Sequence, residues 1–181
     1  IIIPLYNVEK WIKRTINSIK LQDYGDFQCV LVDDMSTDST ADIIEETIQS
    51  DERFKLVRNE EKKYPMRNIQ DALIDICPNK EDVVVIVHGD DWLARPNVLT
   101  TLNEAYKKEQ CWLTYGSYVE YPSGIVGKFS KQLPAQVIEN NSFREYQWTT
   151  SHLHTFKHGL WASLGEESFV EEPGLEHHFE C

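Results

Sequence analysis

The sequence predicts an α/β fold of three layers, with helices on both sides of a central, mostly parallel sheet. Three observations predict it. Short apolar strands alternate with helical stretches of about a dozen residues, the pattern of parallel strands joined by crossover helices. Two of the strands, at 27–32 and 83–87, are apolar on both faces, as expected of central strands covered on both sides. An acidic pair follows each of those two strands, Asp33-Asp34 and Asp90-Asp91, at the carboxyl end where open α/β sheets bind ligands.

The elements follow in order. IIIPL at 1–5 is a short buried strand, and Asn7 is placed to cap a helix. That helix runs through VEKWIKRTINSIKLQ, with Val8, Trp11, Ile12, Ile16 and Ile19 at helical spacing. FQCVLV at 27–32 is the second strand; the cap-rich loop DDMSTDST leads into a helix bearing Ile43, Ile44 and Ile48. RFKLVRN at 53–59 is a third strand. Pro65 suits the first turn of the next helix, whose stripe is Met66, Ile69, Leu73 and Ile76. VVVIV at 83–87 is the fourth strand, and Pro96 opens a helix with Val98, Leu99, Leu102, Ala105 and Tyr106 facing inward. CWLTYGS at 111–117 is the fifth strand. Beyond it the periodicity weakens: YVEYPSGIVGKF reads as a hairpin or loop around Ser123-Gly124, 130–150 is irregular, SHLHTF is extended, and 155–164 is a short helix.

Composition sets the limits. A chain of 181 residues is expected to form one domain, 1–181, with a ligand-binding half at 1–117 and a second half at 118–181. A formal charge of −12 excludes a nucleic-acid-coating surface but not an anionic small ligand, because one bound cation reverses the field in a cleft. No apolar run reaches the roughly 20 residues of a membrane span. The four cysteines, at 29, 77, 111 and 181, form no CxxC pair, so a zinc ribbon is not expected. Cys29 and Cys111 read as buried free thiols, which suits a reducing, cytoplasmic compartment, with association to a membrane surface left open. The start on Ile-Ile-Ile-Pro and the end on EEPGLEHHFEC give the expectation of a chain trimmed at both ends.

The strand ends carry the chemistry. Tyr6-Asn7 after the first strand, and the two acidic pairs, supply an aromatic ring and four carboxylates to one rim. Carboxylate oxygens are hard ligands suited to Mg²⁺ or Mn²⁺, and such ions bind through one or two carboxylates plus substrate phosphates. Arg67, at the start of the helix before the fourth strand, adds a cation for anionic oxygens. A metal-bound diphosphate is the ligand this rim fits. Taken singly, each acidic pair also reads as an ordinary loop start, and Asp38 or Ser39 as a helix cap.

IIIPLYN, VLVDDMSTDST, MRNIQDAL and VHGDDWL together resemble the motifs of family 2 glycosyltransferases, whose usual forms are near IPxYN, VDDGSxDxT, ARNxGxxxA and DxDD. The resemblance covers residues 1–117. It implies the Rossmann-like glycosyltransferase A (GT-A) fold and transfer of a sugar from a nucleotide-diphospho-sugar, typically a UDP-sugar, to an acceptor hydroxyl with inversion. By the same resemblance Pro4 and Tyr6 border the base, Asp33 accepts a hydrogen bond from it, and Arg67 lies near the phosphates. Asp90 faces the ribose or the metal, and Asp91 holds the Mn²⁺ or Mg²⁺ ion. The departures are Met35 for Gly, Met66 for Ala, Asp71 near a small position, and His88 where an Asp is common.

The implied general base is an acidic residue of the second half, for which Glu171 and Glu172 are the candidates, in a segment that also holds Glu166 and Glu167. His152 and His154, two apart in an extended stretch, point to one side and line the acceptor site or supply a metal ligand. The expected partners are the nucleotide-sugar and a glycan, lipid-linked or protein acceptor, with no nucleic acid. Two other readings compete: a non-catalytic nucleotide- or carbohydrate-binding module of the same fold, and a nucleotidyltransferase. The latter calls for a Gly-rich loop after the first strand, where YNVEKWIKR has no glycine.

Overall fold

A computed structural model describes residues 1–76 and 79–164. In chain order its elements are β1 (Ile2–Leu5), α1 (Ile12–Lys20), β2 (Cys29–Asp33), α2 (Thr40–Ile48), β3 (Phe54–Arg58), α3 (Tyr64–Ile76), β4 (Val83–Ile86), α4 (Val98–Lys108), β5 (Leu113–Gly116), α5 (Ala135–Glu139), β6 (Ser151–Lys157) and α6 (His158–Trp161). The six strands form one sheet in the order β3-β2-β1-β4-β6-β5. β1 pairs in parallel with β2 and with β4, and β2 with β3. β6 runs antiparallel to both β4 and β5.

Alternation along β1 divides the core between the two faces of the sheet. Ile3 and Leu5 pack with Ile12, Ile16 and Ile19 of α1, Ile44 of α2 and Leu99 of α4. Ile2 packs on the opposite face with Val30, Val32, Val84, and Ala72 and Leu73 of α3. All five residues of β2 are buried, as the double-sided apolar pattern requires. Cys29 lies in this strand, and burial pushes its thiol up to about 12; Cys111 is only half-buried.

Four expectations are corrected. Asn7 caps no helix: it sits at φ 53°, and its side-chain oxygen accepts the Thr37 N–H at 2.8 Å, tying the β1 end to the β2 loop. The first helix begins only at Ile12, so Trp11 lies before it and is 37% exposed instead of in the core. Met66 is 51% exposed and does not belong to the stripe of α3; Asn68 is buried in its neighbourhood. Residues 155–157, read as helix, belong to β6, and α6 is a single turn. Thr155 is buried there, hydrogen-bonded to Tyr106 and Thr114, and pairing with β4 and β5 overrides the local helical pattern.

The hairpin expectation agrees with the structure. Val119 bridges Val126, and Gly124 takes φ 69° at the turn, a conformation glycine adopts without steric cost. No helix among the described residues is long and apolar enough to cross a membrane.

Candidate functional site

β1, β2 and β4 are adjacent and parallel, so their carboxyl ends share one edge of the sheet. Tyr6-Asn7, Asp33-Asp34 and the loop from His88 to Asp91 emerge there side by side. β6 runs the other way, which brings its first residues, Ser151 and His152, to the same edge. Chain direction therefore places His152 beside His88.

The two Asp residues after β2 do different work. Asp33 is buried, and its Oδ1 accepts the Ser36 N–H at 3.3 Å, closing the turn after the strand. Asp34 turns inward. Its carboxylate accepts Asn59 Nδ2 at 2.7 Å and the backbone N–H groups of Lys63 and Tyr64 at 2.8 and 2.9 Å, at the amino end of α3. Burial alone would raise its pKa, but the Lys63 N–H, the Asn59 amide and the Tyr64 N–H bring it below the usual carboxylate value. Asp34 is thus a strut between β2 and α3, and the expectation of four carboxylates facing one ligand is corrected by that one. Asp38 is likewise structural: it accepts the N–H of Thr40, the first residue of α2, and that of Glu9.

Tyr6 presents half of its surface, and Lys62 Nζ lies over its ring. Pro4 sits within β1 opposite Val32. Arg67 is exposed at the start of α3, with its Nε 2.8 Å from Asp71; Lys63 Nζ reaches the other Asp71 oxygen at 2.9 Å. Asp71, the departure from the family's small residue, thus gathers two cations at this corner.

The loop after β4 is held from α1. Thr15, fully buried, directs its hydroxyl at the carbonyl oxygens of Gly89 and Asp91. Ser18 accepts the Leu93 N–H at 3.0 Å, and Gln22 bonds both the Arg95 carbonyl and the Leu99 N–H. Thr15 and Ser18 of α1, with Gln22 just past its end, stitch down the chain from 89 to 99. A Cβ on Gly89 would strike the Leu5 side chain, with Val8 at 3.1 Å, so glycine lets the loop lie against β1 without displacing either.

On this fixed backbone three potential metal ligands converge. Donor atoms of His88, Asp91 and His152 all lie within 4.8 Å of one another, and His152 Nδ1 is 3.8 Å from Asp91 Oδ2. The His88 and His152 rings meet edge to face at 4.7 Å between centroids, and His154 stands 5.8 Å behind His152. Burial and the neighbouring His152 lower the pKa of His88, against the pull of Asp91 and Asp90. Burial, then the two other imidazoles, lower that of His154. Neutral imidazoles are the form that binds metal. Donors at about 2.1 Å from one tetrahedral ion lie about 3.4 Å apart, so the side chains close by roughly an ångström when they take one. Asp90 is exposed beside it. Glu171 and Glu172 lie outside the described residues, as do Glu166, Glu167 and the two terminal His residues.

An aromatic wall flanks the cluster. Trp92 stacks on Trp11 and meets Tyr121 of the hairpin edge to face. The Arg14 guanidinium lies 3.8 Å from the Trp92 ring centre and 4.3 Å from that of Tyr121.

The sequence profile of glycosyl transferase family 2 matches residues 1–166. The chain belongs to that family. Against relatives, this family 2 chain is 26% identical over 121 residues to glycosyltransferase GlyG of Streptococcus pneumoniae serotype 4, a match covering 67% of the chain and 39% of GlyG. Among solved structures, S. aureus TarS 1–349 in complex with UDP-GlcNAc superposes with a TM-score of 0.68 at 22% identity, covering 89% of the chain and 45% of TarS. Glucosyl-3-phosphoglycerate synthase from Mycobacterium tuberculosis, in complex with Mn²⁺, UDP and glucosyl-3-phosphoglycerate, gives 0.61 at 18% identity, covering 90% and 57%. The family 2 chain thus spans well under two thirds of each of these proteins, and the structural matches show the GT-A fold.

Proposed function

We propose that the chain is the donor-binding part of a metal-dependent glycosyltransferase that moves a sugar from a UDP-sugar to an acceptor hydroxyl, with inversion, in glycan biosynthesis. The observation that carries this is the convergence of Asp91, His88 and His152 at the strand-end edge where Tyr6 is exposed and the buried Asp33 ends β2. UDP and UDP-GlcNAc in the neighbouring structures support the nucleotide, and Mn²⁺ in one of them supports Mn²⁺ or Mg²⁺ as the cofactor.

In this reading Pro4 and Tyr6 border the uracil, Asp33 accepts its N–H, and Asp90 receives the ribose. Asp91 holds the ion, which supplies charge stabilisation for the departing diphosphate. Arg67 adds a cation to the same oxygens. The bond between the anomeric carbon and the diphosphate oxygen breaks as the acceptor oxygen attacks from the opposite face. The carbon passes through an oxocarbenium-like state. The acceptor proton goes to a carboxylate, for which Glu171 or Glu172 is proposed. The acceptor is a glycan, a lipid-linked glycan or a protein.

The test is a melting curve with UDP and Mn²⁺. A bound pair stabilises by mass action, so Tm rises by several degrees at saturating ligand, and Asp91→Asn removes the rise. An unchanged wild-type Tm, or a shift that survives Asp91→Asn, overturns the reading. Slow hydrolysis across a panel of nucleotide sugars then separates an enzyme from a binding module.

A further inference from the structure

We infer that His88 and His152 join Asp91 as donors to a single ion, forming a two-imidazole, one-carboxylate set that takes a transition-metal ion in preference to Mg²⁺. This rests on the metal-dependent reading above and goes beyond it, because it names the class of ion and the residues that choose it.

Position comes first. His88 stands where a third carboxylate is common in the motif, and the structure does not turn it away: its donor atom falls within 4.8 Å of those of Asp91 and His152. His152 reaches the group from a different element, because β6 runs antiparallel to β4 and starts where β4 ends. Among the described residues the ion pairs of Asp91 are with His152 alone, so no lysine or arginine occupies the carboxylate. Asp91 and His152 keep 48% and 44% of their side-chain surface, which leaves the cluster open to an entering ion and to a diphosphate.

Preorganisation is the second support. The backbone that carries Asp91 is pinned by Thr15 at 2.7 Å through the Asp91 carbonyl itself, and the Asp91 N–H closes a turn on the His88 carbonyl at 3.1 Å. The backbone that carries His88 and Asp91 is therefore fixed before any ion arrives, and only their side chains adjust.

Ligand chemistry then decides the ion. Mg²⁺ prefers oxygen and loses little by leaving imidazole alone, whereas Co²⁺, Fe²⁺ and Zn²⁺ gain from each nitrogen donor. A site of carboxylates at this edge would treat Mg²⁺ and Mn²⁺ alike. Replacing one carboxylate by His88 and adding His152 moves the preference toward the nitrogen-binding ions. Three protein donors still leave positions for diphosphate oxygens.

The 181-residue chain, stripped of metal with a chelator, is titrated with Co²⁺ and followed by its visible d–d absorption; Mg²⁺ and Mn²⁺ are then added as competitors. Expected is a Co²⁺ dissociation constant at least tenfold below that of Mg²⁺, with an absorption band reporting nitrogen ligation. His88→Ala and His152→Ala each weaken Co²⁺ at least tenfold and leave Mg²⁺ nearly unchanged. His88→Asp narrows the gap by strengthening Mg²⁺. His88→Gln, with circular dichroism on every variant, guards against a loss that is only misfolding. Equal competition by Mg²⁺, or His88→Ala with unaltered Co²⁺ affinity, overturns the inference while Asp91→Asn still abolishes binding and the general reading stands. Failure of every ion to bind, with or without UDP, overturns both.

Discussion

The hydroxyl of Thr15, in the middle of α1, lies 2.7 Å from the carbonyl oxygen of Asp91 and 3.0 Å from that of Gly89. One proton serves two carbonyls, so a single side chain of the first helix sets the height of the loop that follows the fourth strand. Thr15→Val keeps the volume and removes the donor. Leaving these carbonyls unpaired costs about 1–3 kcal/mol, read as a lower urea midpoint at unchanged slope. Metal affinity falls several-fold with it, because the Asp91 carboxylate is no longer held in register. Thr15→Ser restores most of both. A valine variant with wild-type stability and wild-type Mn²⁺ binding contradicts the assignment.

Gly89 makes a sharper steric test. A methyl group there meets the Leu5 side chain and sits 3.1 Å from Val8, in a core that does not yield easily. Gly89→Ala is expected to destabilise by about 1–3 kcal/mol, the usual cost of overpacking. Leu5→Ala in the same chain removes the obstacle. The double variant is therefore less destabilised than the sum of the two singles, the non-additivity expected of residues in contact. Strict additivity in a double-mutant cycle would show that the loop does not rest on β1.

The sequence made the sheet legible because a strand buried on both faces writes an unbroken apolar run, as in VLV before Asp33 and VVVIV before His88. It also made the strand-end edge legible, since Tyr6 and Asp33 follow such runs directly and Asp91 lies four residues past one. β6 was legible only as the extended stretch SHLHTF, not as a strand of the sheet, for the opposite reason: Ser151, Thr155 and Lys157 are polar, and the strand is held by pairing with β4 and β5 instead of by an apolar pattern of its own. Asp34 could not be told from Asp33 by spacing, because only the folded position of Asn59, Lys63 and Tyr64 decides which carboxylate is consumed. The Thr15, Ser18 and Gln22 ladder did leave a signal. Three uncharged polar residues lie at helical spacing beside Ile12, Ile16 and Ile19, and polar residues next to a buried stripe call for buried partners.

Arg14 lies against both Trp92 and Tyr121, and through them it joins the hairpin at 118–127 to the loop bearing Asp91. Cation–π contacts of this kind contribute about 0.5–2 kcal/mol. Arg14→Ala frees the hairpin, so limited proteolysis near Gly124 accelerates while global stability drops by no more than about 1 kcal/mol. Arg14→Lys retains part of the protection. Cleavage at the wild-type rate in the alanine variant would mean that the hairpin is held by the Trp11, Trp92 and Tyr121 rings alone.

Asp34 gives the pH dependence. Its carboxyl is buried, and the N–H groups of Lys63 and Tyr64 with the Asn59 amide hold its pKa below the ordinary value. A folded-state pKa below the unfolded one stabilises the fold above the unfolded value of about 3.9, and that contribution is lost as pH falls through the folded value. Asp34→Asn replaces one acceptor oxygen by a donor facing backbone N–H groups, and losing charged hydrogen bonds of this kind costs about 1.5–3 kcal/mol. The difference in unfolding free energy between wild type and Asp34→Asn is therefore constant from neutral pH down to about 5 and shrinks below about 4. Urea unfolding of both proteins from pH 7 to pH 3 measures it. A difference that grows on acidification, or none at pH 7, would show that Asp34 does not act as the strut between β2 and α3.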